Sequence, residues 1–573
     1  MTTQVPSTAT LNGQEVALPE GESLNAIQLA LRAGVEIPHY CWHPALSVVA
    51  SCRMCLVEAG QIGQGGVLAM QPKLVPACQT PVKPGTVIVT NSEKVKAAQN
   101  QVLEFLLLNH PLDCPVCDQA GECKLQDFSF RYGRGYSRLK EPKVQKPDKD
   151  YIGDQITLFT DRCVMCTRCV RFTREISGTG ELQVIQRGSH AEIDIFPGEP
   201  CDNKLAGNVV DICPVGALCS KDFLYKQRVW WLESKESVCP NCSTGCSIHV
   251  DQNENVVYRL KPRHNPQSQG HFMCDEGRFG FKYQGSPNRL KHPLVRGENG
   301  SQAPAIWDHA LRSVRNGLQQ IATSRPASLL GILSPWMTVE EAYLLASYLK
   351  SLSPEIRLAL GPLRVEGEDD RYPKDVHGRA VEPTKFTIRA EKAPNVRGVE
   401  AVLRHFEGGV IPAEQLLPAV GTGEIEAVYF AGGDPDFADD ADFAATLATA
   451  KFLIVQDILA SPVSEAADYV LPGGTFMEKD GTFINHAGLA QAIRRAVRGP
   501  EEARPDGRIL WELSGRTGLF HAANLRKEIA ANVPELAALA VGDLGAFGVR
   551  TSIQLEGADD DRRSAAEVAA GVS

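Results

Sequence analysis

The sequence predicts a multidomain protein, mixed α+β through its first half and α/β with a largely parallel sheet in its second. Three observations carry this. A chain of 573 residues, at roughly one domain per 150, should hold three or four folded units. All seventeen cysteines fall between Cys41 and Cys274, so the chemistry is concentrated in the first half. Beyond about residue 300 the texture becomes short apolar runs alternating with amphipathic segments, the pattern of strand–helix repeats.

Residues 1–90 read as a small mixed domain. Residues 10–16 predict a hairpin with Asn12 and Gly13 in a tight turn. Ser23 then precedes Leu24, Ile27 and Leu31, which share one helical face, and Gly34 stops that helix. The Val-Ile-Val run at 87–89 predicts a strand. Residues 91–150 form a second segment. Thr90, Asn91, Ser92 and Glu93 fit a capping box, with Val95, Val102, Phe105 and Leu106 as the apolar side of the helix it opens. Pro111 ends that helix near Asn109 and His110, and the Lys/Pro-rich stretch at 140–149 reads as a linker.

Two compact cysteine-bearing segments follow, at 151–232 and 233–290, and then the α/β part, 291–573. Residues 329–333 predict a buried strand, and Thr338 to Glu341 cap the next helix. Residues 427–430 and 452–455 repeat the strand pattern. Residues 365–395 are polar and lack periodicity, and the last fifteen residues are expected to fray. No heptads or internal repeats occur.

The net charge of −10 argues against a nucleic-acid-binding surface. No apolar run is long enough to span a bilayer, so membrane association is expected only through a partner. The first thirty residues lack a basic region followed by an apolar core, which predicts a cytoplasmic product. In that reducing compartment clustered cysteines mean metal or redox chemistry, not a disulfide framework.

The cysteines divide into sets. Cys41, Cys52, Cys55 and Cys78 supply four thiolates, two of them from one Cys-x2-Cys loop, which suits a [2Fe–2S] cluster; a structural zinc site is the alternative. His110, Cys114, Cys117 and Cys123 form the second set. A histidine ending a helix is commonly a cap or core residue, but three cysteines leave one coordination position unfilled and His110 lies four residues before Cys114. An imidazole there also removes negative charge from a [4Fe–4S] site. The third set is Cys163, Cys166 and Cys169 with the remote Cys213-Pro214, the bacterial ferredoxin spacing for a [4Fe–4S] cluster. Cys201 is the one rival to Cys213 and lacks the following proline. The fourth set, Cys239, Cys242, Cys246 and Cys274, again fits a [4Fe–4S] cluster, with zinc as competitor. Cys201 and Cys219 are left over as unligated thiols.

These sets, in this order, resemble the large iron–sulfur subunit of NADH-quinone oxidoreductase (respiratory complex I). The resemblance rests on Pro38-His39-Tyr40-Cys41, Ser51-Cys52-Arg53-Met54-Cys55, Ala77-Cys78-Gln79-Thr80-Pro81, His110-Pro111-Leu112-Asp113-Cys114-Pro115-Val116-Cys117, Arg162-Cys163 and Asp211-Ile212-Cys213-Pro214-Val215-Gly216-Ala217-Leu218. It implies a β-grasp [2Fe–2S] ferredoxin domain, a cubane held by one histidine and three cysteines, a ferredoxin-like [4Fe–4S] segment and, as in some bacterial members, a fourth cubane. It also implies a C-terminal α/β half like a shortened molybdopterin oxidoreductase without its molybdenum cofactor, carried by Ala431-Gly432-Gly433-Asp434-Pro435 and residues 467–483. Gly432 and Gly433 form a turn that could cradle a phosphate or one retained after cofactor loss. Two departures stand out: a Gly/Gln-rich insert around 60–66, and a C-terminal half short for the family.

The implied function is an electron relay. Electrons from NADH enter through a separate flavin subunit, pass via the [2Fe–2S] cluster to [4Fe–4S] clusters, and leave through other peripheral-arm subunits toward quinone, coupled in the whole complex to proton translocation; the resemblance places the fourth cubane off the main electron path. The chain would be a subunit of an oxidoreductase with no catalytic residues of its own, peripheral on the cytoplasmic face of a bacterial inner membrane. The competing readings are a molybdenum formate dehydrogenase or a hydrogenase-associated subunit. Against the first, no cysteine follows Cys274, and Glu276 stands where such enzymes carry lysine. A zinc-stabilised scaffold is the remaining alternative.

Overall fold

A computed structural model describes residues 7–63, 66–436 and 440–553. Two compact units divide the chain: Met1–Leu232 with Tyr372–Thr384, and Glu233–Arg371 with Lys385–Ala569.

In the first unit, β1 (Thr8–Leu11) and β2 (Gln14–Ala17) form the expected hairpin. Asn12 and Gly13 sit at φ 50° and 85°, the left-handed pair whose twist matches the flanking strands. Helix α1 (Ala26–Arg32) starts later than Ser23 suggested. Asn25 is its cap, accepting from the Gln28 N–H while the Gln28 side chain returns to the Asn25 N–H. The buried face is therefore Ala26, Ile27, Leu29 and Ala30, and Leu31 points outward. Strands β3 (Leu56–Ile62), β4 (Leu68–Met70), β5 (Val75–Pro76) and β6 (Thr86–Val89) complete a six-stranded mixed sheet, order β2-β1-β6-β3-β4 with β5 on β3. β1 and β6 run parallel, and Ile27 and Ala30 of α1 pack on Val57 and Ile88 of the sheet, the grip expected of a β-grasp domain. The insert lengthens β3 and turns back as β4; Gln64 and Gly65 lie outside the described residues.

Helix α2 (Glu93–Leu108) is capped by Ser92, not Thr90. Thr90 is instead engaged by Asn12, whose Oδ1 accepts its N–H at 2.8 Å. The helix buries Val95, Gln99 and Leu103; Phe105 is 73% exposed, so the apolar side is rotated from the expected one. The stretch read as a linker is pinned at both ends. Lys143 Nζ donates to the Leu107 and Leu108 carbonyls at the C-terminus of α2, and buried Lys149 pairs with Glu192 and Asp194. Then come α3 (Lys124–Tyr132), β7 (Ile156–Leu158), α4 (Arg168–Phe172), the β8 (Gln183–Ile185) and β9 (Glu192–Asp194) pair, α5 (Asn208–Ile212) and β10 (Leu218–Ser220), which returns antiparallel to β7.

The second unit opens with an antiparallel meander, β11 (Glu233–Val238), β12 (Ser247–Asn253) and β13 (Val256–Pro262), followed by the short α6 (Asp275–Phe279). Its main body contains β14 (Leu294–Arg296), β15 (Gln302–Pro304), α7 (Trp307–Ser324), β16 (Leu329–Leu333), α8 (Val339–Leu352), β17 (Arg357–Leu360), β18 (Asp370–Tyr372) and β19 (Phe386–Ile388). It continues through α9 (Val396–Glu407), α10 (Leu417–Gly421), β20 (Ala427–Ala431), α11 (Ala441–Leu447), β21 (Phe452–Asp457), α12 (Pro462–Ala466) and β22 (Tyr469–Pro472). One seven-stranded sheet results, order β15-β14-β22-β21-β20-β16-β17, parallel from β22 to β17. Leu329 and Leu333 of β16 face one apolar cluster, and Leu330 and Ile332 face another, so the strand is covered on both sides. The expected capping box opens α8, Thr338 with Glu341. The chain closes with β23 (Gly481–Ile484), β24 (Leu489–Ile493), α13 (Asp506–Leu513), α14 (Ala522–Asn532) and β25 (Val549–Arg550). The terminal fifteen residues lie outside the described ones. Among the described residues no helix is long and apolar enough to cross a membrane.

Candidate metal centres

Cys41, Cys55 and Cys78 are buried and Cys52 is half-buried, all carried by loops around the first sheet. The loop that presents Cys52 and Cys55 holds Ala50 and Arg53 at φ 51° and 58°, costly positions for residues with a Cβ. The four thiols touch. Cys41 is held below the ordinary thiol range by hydrogen bonds from Cys52 and Cys78, and Cys55 is lowered by Cys78. Cys52 and Cys78, the donors, are pushed up. Buried Tyr40 lies near both Cys52 and Cys123, and its hydroxyl has no hydrogen-bond partner.

In the second set Cys117 and Cys123 are buried, Cys114 is exposed, and the three lie close enough for their charges to interact. His110 is neutral at pH 7, because burial lowers it to about 4; neutral imidazole is the form that can ligate. The charged groups nearest to it are Lys143, Arg162 and Asp113. Arg162 holds Asp113 through Nε at 2.9 Å and Nη2 at 2.8 Å, and its Nη1 donates to the Gly216 carbonyl. Gly216 itself sits against this set. A Cβ there would lie 2.2 Å from Cys117 Sγ.

Cys163, Cys166, Cys169 and Cys213 all line one cavity, together with Val164, Ile193, Val215 and Leu218. Met165 and Thr167 adopt φ 50° and 58°, turning the loop tightly enough that the Met165 N–H reaches Cys163 Sγ at 3.4 Å. Burial and the neighbouring thiols push Cys163 up to about 12 and Cys166 to about 11, and Cys169 well above the ordinary range. Cys163, Cys166 and Cys169 ionise together only if a cation compensates them. Cys201 is buried away from this cavity's lining, with Asn203 Nδ2 3.8 Å from its sulfur. Cys219 is also buried; Cys117 and Cys213 are its neighbours.

The fourth set is buried throughout. Cys239 follows directly on β11, Cys246 directly precedes β12, and the Cys239 N–H donates to the Cys246 carbonyl. Cys274 caps α6, and the Gly277 N–H points at its Sγ at 3.4 Å. A Cβ on Gly277 would stand 2.7 Å from Cys239 Sγ and 3.6 Å from Cys274 Sγ, so the two sulfurs meet across a glycine. Glu276 is paired with buried Lys392, at 2.9 and 2.6 Å, and Lys392 is in turn near Cys242. A lysine from a distant part of the chain thus stands beside position 276.

Thiols grouped in fours, or in a three with a histidine, most of them buried, a cysteine-lined cavity and glycines cleared for sulfur are the donor chemistry of iron–sulfur clusters, and the residues fit them. Among the described residues no three His, Cys, Asp or Glu side chains close on a single metal ion. In the C-terminal half, the Gly433 N–H that a phosphate would need is taken by Asp457 Oδ1 at 3.0 Å, and Asp457 Oδ2 lies 2.3 Å from where a Gly432 Cβ would be. The neighbouring Asp434 pairs with Arg364.

Five family models match in succession: a 2Fe-2S iron-sulfur cluster binding domain (5–93), the NADH-ubiquinone oxidoreductase-G iron-sulfur binding region (99–138), the ferredoxin-like domain of NADH-quinone oxidoreductase subunit 3 (153–219), the molybdopterin oxidoreductase Fe4S4 domain (232–286) and molybdopterin oxidoreductase (289–358 and 378–516). The G subunit of the Rickettsia bellii NADH-quinone oxidoreductase is 39% identical over 346 residues, 60% of this chain and 48% of that one. Over that stretch the chain is similar to the G subunits of NADH-quinone oxidoreductases. The 78 kDa mitochondrial NADH-ubiquinone oxidoreductase subunit of Neurospora crassa is 42% identical over 316 residues, 54% of this chain and 40% of that one. The mitochondrial NADH dehydrogenase [ubiquinone] iron-sulfur protein 1 of Solanum tuberosum is 38% identical over 345 residues, 60% and 44%. The chain spans about half the length of the curated relatives it matches. A solved NAD+-reducing [NiFe]-hydrogenase matches with TM-score 0.33 and 28% identity, over 39% of this chain and 91% of that one.

The sequence therefore exposes the clustered cysteines but not the residues around them. Spacing does not single out Arg168, Arg171, Gly216, Gly277 or Lys392. For the two arginines a signal exists: they flank Cys169 on a segment otherwise apolar enough to be buried.

Proposed function

We propose that this chain is an electron-relay subunit of an NADH-quinone oxidoreductase, carrying single electrons from a flavin- and NADH-binding subunit toward quinone-side subunits of the peripheral arm. In the assembled complex this flow is coupled to proton translocation. The ligands are Cys41, Cys52, Cys55 and Cys78 for a [2Fe–2S] cluster, and three sets for [4Fe–4S] clusters: His110 with Cys114, Cys117 and Cys123; Cys163, Cys166 and Cys169 with Cys213; Cys239, Cys242 and Cys246 with Cys274. The observation that carries the reading is the cavity lined by all four cysteines of the third set, reached by a remote Cys-Pro. The clusters supply the one-electron redox chemistry. The chain's own residues hold the sulfurs in register, bury them from water and surround them with charge, which is how a protein sets such potentials.

The chain works on the cytoplasmic face of a bacterial inner membrane, attached through its partners. No molybdenum cofactor is expected: the Gly433 N–H that would face a dinucleotide phosphate is already taken by Asp457 Oδ1. Iron and acid-labile sulfide on anaerobically purified full-length chain test the proposal. About 14 of each per chain are expected for one binuclear and three cubane sites, with four distinguishable EPR signals in a redox titration. Colourless zinc-containing protein, or stoichiometric molybdenum, would overturn it.

A further inference from the structure

Nine cationic side chains are buried among the described residues. Seven face a carboxylate: Lys149 (Asp194), Arg162 (Asp113), Arg278 (Asp275), Arg289 (Glu478), Lys392 (Glu276), Lys479 (Glu341) and Arg526 (Glu340). The two exceptions are Arg168 and Arg171. They stand three residues apart on α4, the helix that begins inside the third cysteine set, and therefore share one face.

Every hydrogen-bond acceptor these guanidiniums use is neutral. Arg168 Nη1 donates to the Ile212 carbonyl at 3.0 Å, one residue before Cys213, and its Nη2 donates to the Trp42 carbonyl, one residue after Cys41. Its Nε has no partner at all, in a residue 4% exposed. Arg171 Nη2 donates to the Cys41 carbonyl at 2.5 Å and the Cys166 carbonyl at 3.3 Å; its Nη1 reaches the Ser47 carbonyl. The groups able to carry negative charge nearest Arg168 are the thiols of Cys166, Cys213 and Cys41. The arginines thus lie between the first cysteine set and the third, and bind the backbone of both.

A buried cation without a counter-charge is strongly unfavourable. Two side by side, where every other buried cation among the described residues is paired, require an anion. Four thiolates with bridging sulfides outweigh the charge of the iron they bind, so each occupied site is that anion, and each becomes more negative on reduction. We propose that Arg168 and Arg171 are a shared counter-ion for the first and third clusters, positioning residues that raise both reduction potentials and couple them. This rests on the ligand assignments proposed above. Because one pair of guanidiniums serves two sites, an electron placed on one site draws on the compensation available to the other.

The test is an EPR-monitored redox titration of the anaerobically purified full-length chain and of R168M and R171M. Both the [2Fe–2S] signal of the first site and the [4Fe–4S] signal of the third should titrate at lower potential. The expected shift changes the reduced-to-oxidised ratio about tenfold at a fixed potential, about 59 mV for one electron. The fourth site, which has its own cation in Lys392, should not move. Where a methionine variant loses iron, R168Q and R171Q decide by the same titrations, since they keep an N–H donor for the carbonyls without the charge. Unshifted potentials at full iron content, or a shift at the third site alone, overturn the proposal. C41A and C166A separate the two levels: if they leave the first and third signals intact, the ligand assignment has failed; if they abolish them and the arginine variants change nothing, only the shared counter-ion has.

Discussion

Replacing Gly216 by alanine should remove the second cluster and leave the other three. The added Cβ would stand 2.2 Å from Cys117 Sγ and 3.0 Å from the Gln119 Cβ. Ordinary contact begins near 3.4 Å, so the sulfur must retreat by about 1.2 Å or the Cys213–Leu218 loop must lift. Neither is compatible with ligation, where metal–ligand distances tolerate about 0.2 Å. The cost to the fold is smaller, about 1–3 kcal/mol for one overpacked methyl, against the roughly 5–15 kcal/mol that typically holds a domain together. The variant should therefore purify folded, with iron falling from about 14 to about 10 per chain and the EPR signal of the second site missing. G135A is the control: a Cβ there meets nothing within 4 Å, so its iron content should match the parent. A G216A chain with full iron and four signals would refute the reasoning, because it would show that Cys117 does not need the position it occupies.

Three further outcomes follow from the same contacts. H110C should keep its iron but titrate the second site at lower potential, since a thiolate brings a negative charge that neutral imidazole does not; an unchanged potential means His110 is not a ligand. K392M, which removes the cation held between Glu276 and Cys242, should lower the potential of the fourth site alone; equal shifts at all sites would point to general destabilisation. Burial raises Asp457 from 3.8 to about 7 in the folded chain, so the folded state binds the extra proton: its stabilising contribution is complete below about pH 4 and is lost as pH rises through about 7. The linkage is worth up to about 4 kcal/mol, and D457N should flatten the urea-midpoint profile between about pH 5 and pH 7.5; an identical slope in the variant excludes Asp457 as its source.

How much the sequence reveals follows from how local each feature is. Ligand sets declare themselves because several sulfurs must come from one short loop, and the hairpin at Asn12 and Gly13 is written in two adjacent residues. The capping box at Thr338 is equally local. Caps with two candidates in a row are harder: tertiary bonds decide Ser92 over Thr90, because Asn12 of the first hairpin engages Thr90, and the side-chain exchange with Gln28 decides Asn25 over Ser23. Periodicity points Phe105 inward, yet Leu103 is the residue that reaches the core. The charges around the sulfurs are least legible. Arg168 meets Trp42 at a separation of 126 residues, and Lys392 meets Glu276 at 116, distances at which sequence spacing carries no information.

The C-terminal half keeps a use even without a cofactor. The loop bearing Cys242 and Cys246 is clasped from downstream. The Ser243 N–H donates to the Glu391 carbonyl, and the His486 N–H donates back to the Ser243 carbonyl. Asn485 Nδ2 donates to the Thr244 carbonyl at 3.0 Å, Gln491 Nε2 to the Gly245 carbonyl at 2.7 Å, and Thr244 Oγ1 to the Thr387 carbonyl. Gly245, at φ 64°, has no room for a Cβ because Asn485 stands 2.8 Å away. Residues 387–491 thus partner these polar groups of the loop, together with Ser268 Oγ, which donates to the Thr244 and Gly245 carbonyls, and leaving a buried polar group unsatisfied costs about 1–3 kcal/mol. The fourth cysteine set is therefore expected to lose its geometry when the strands downstream are removed, because residues there hold the loop that carries Cys242 and Cys246.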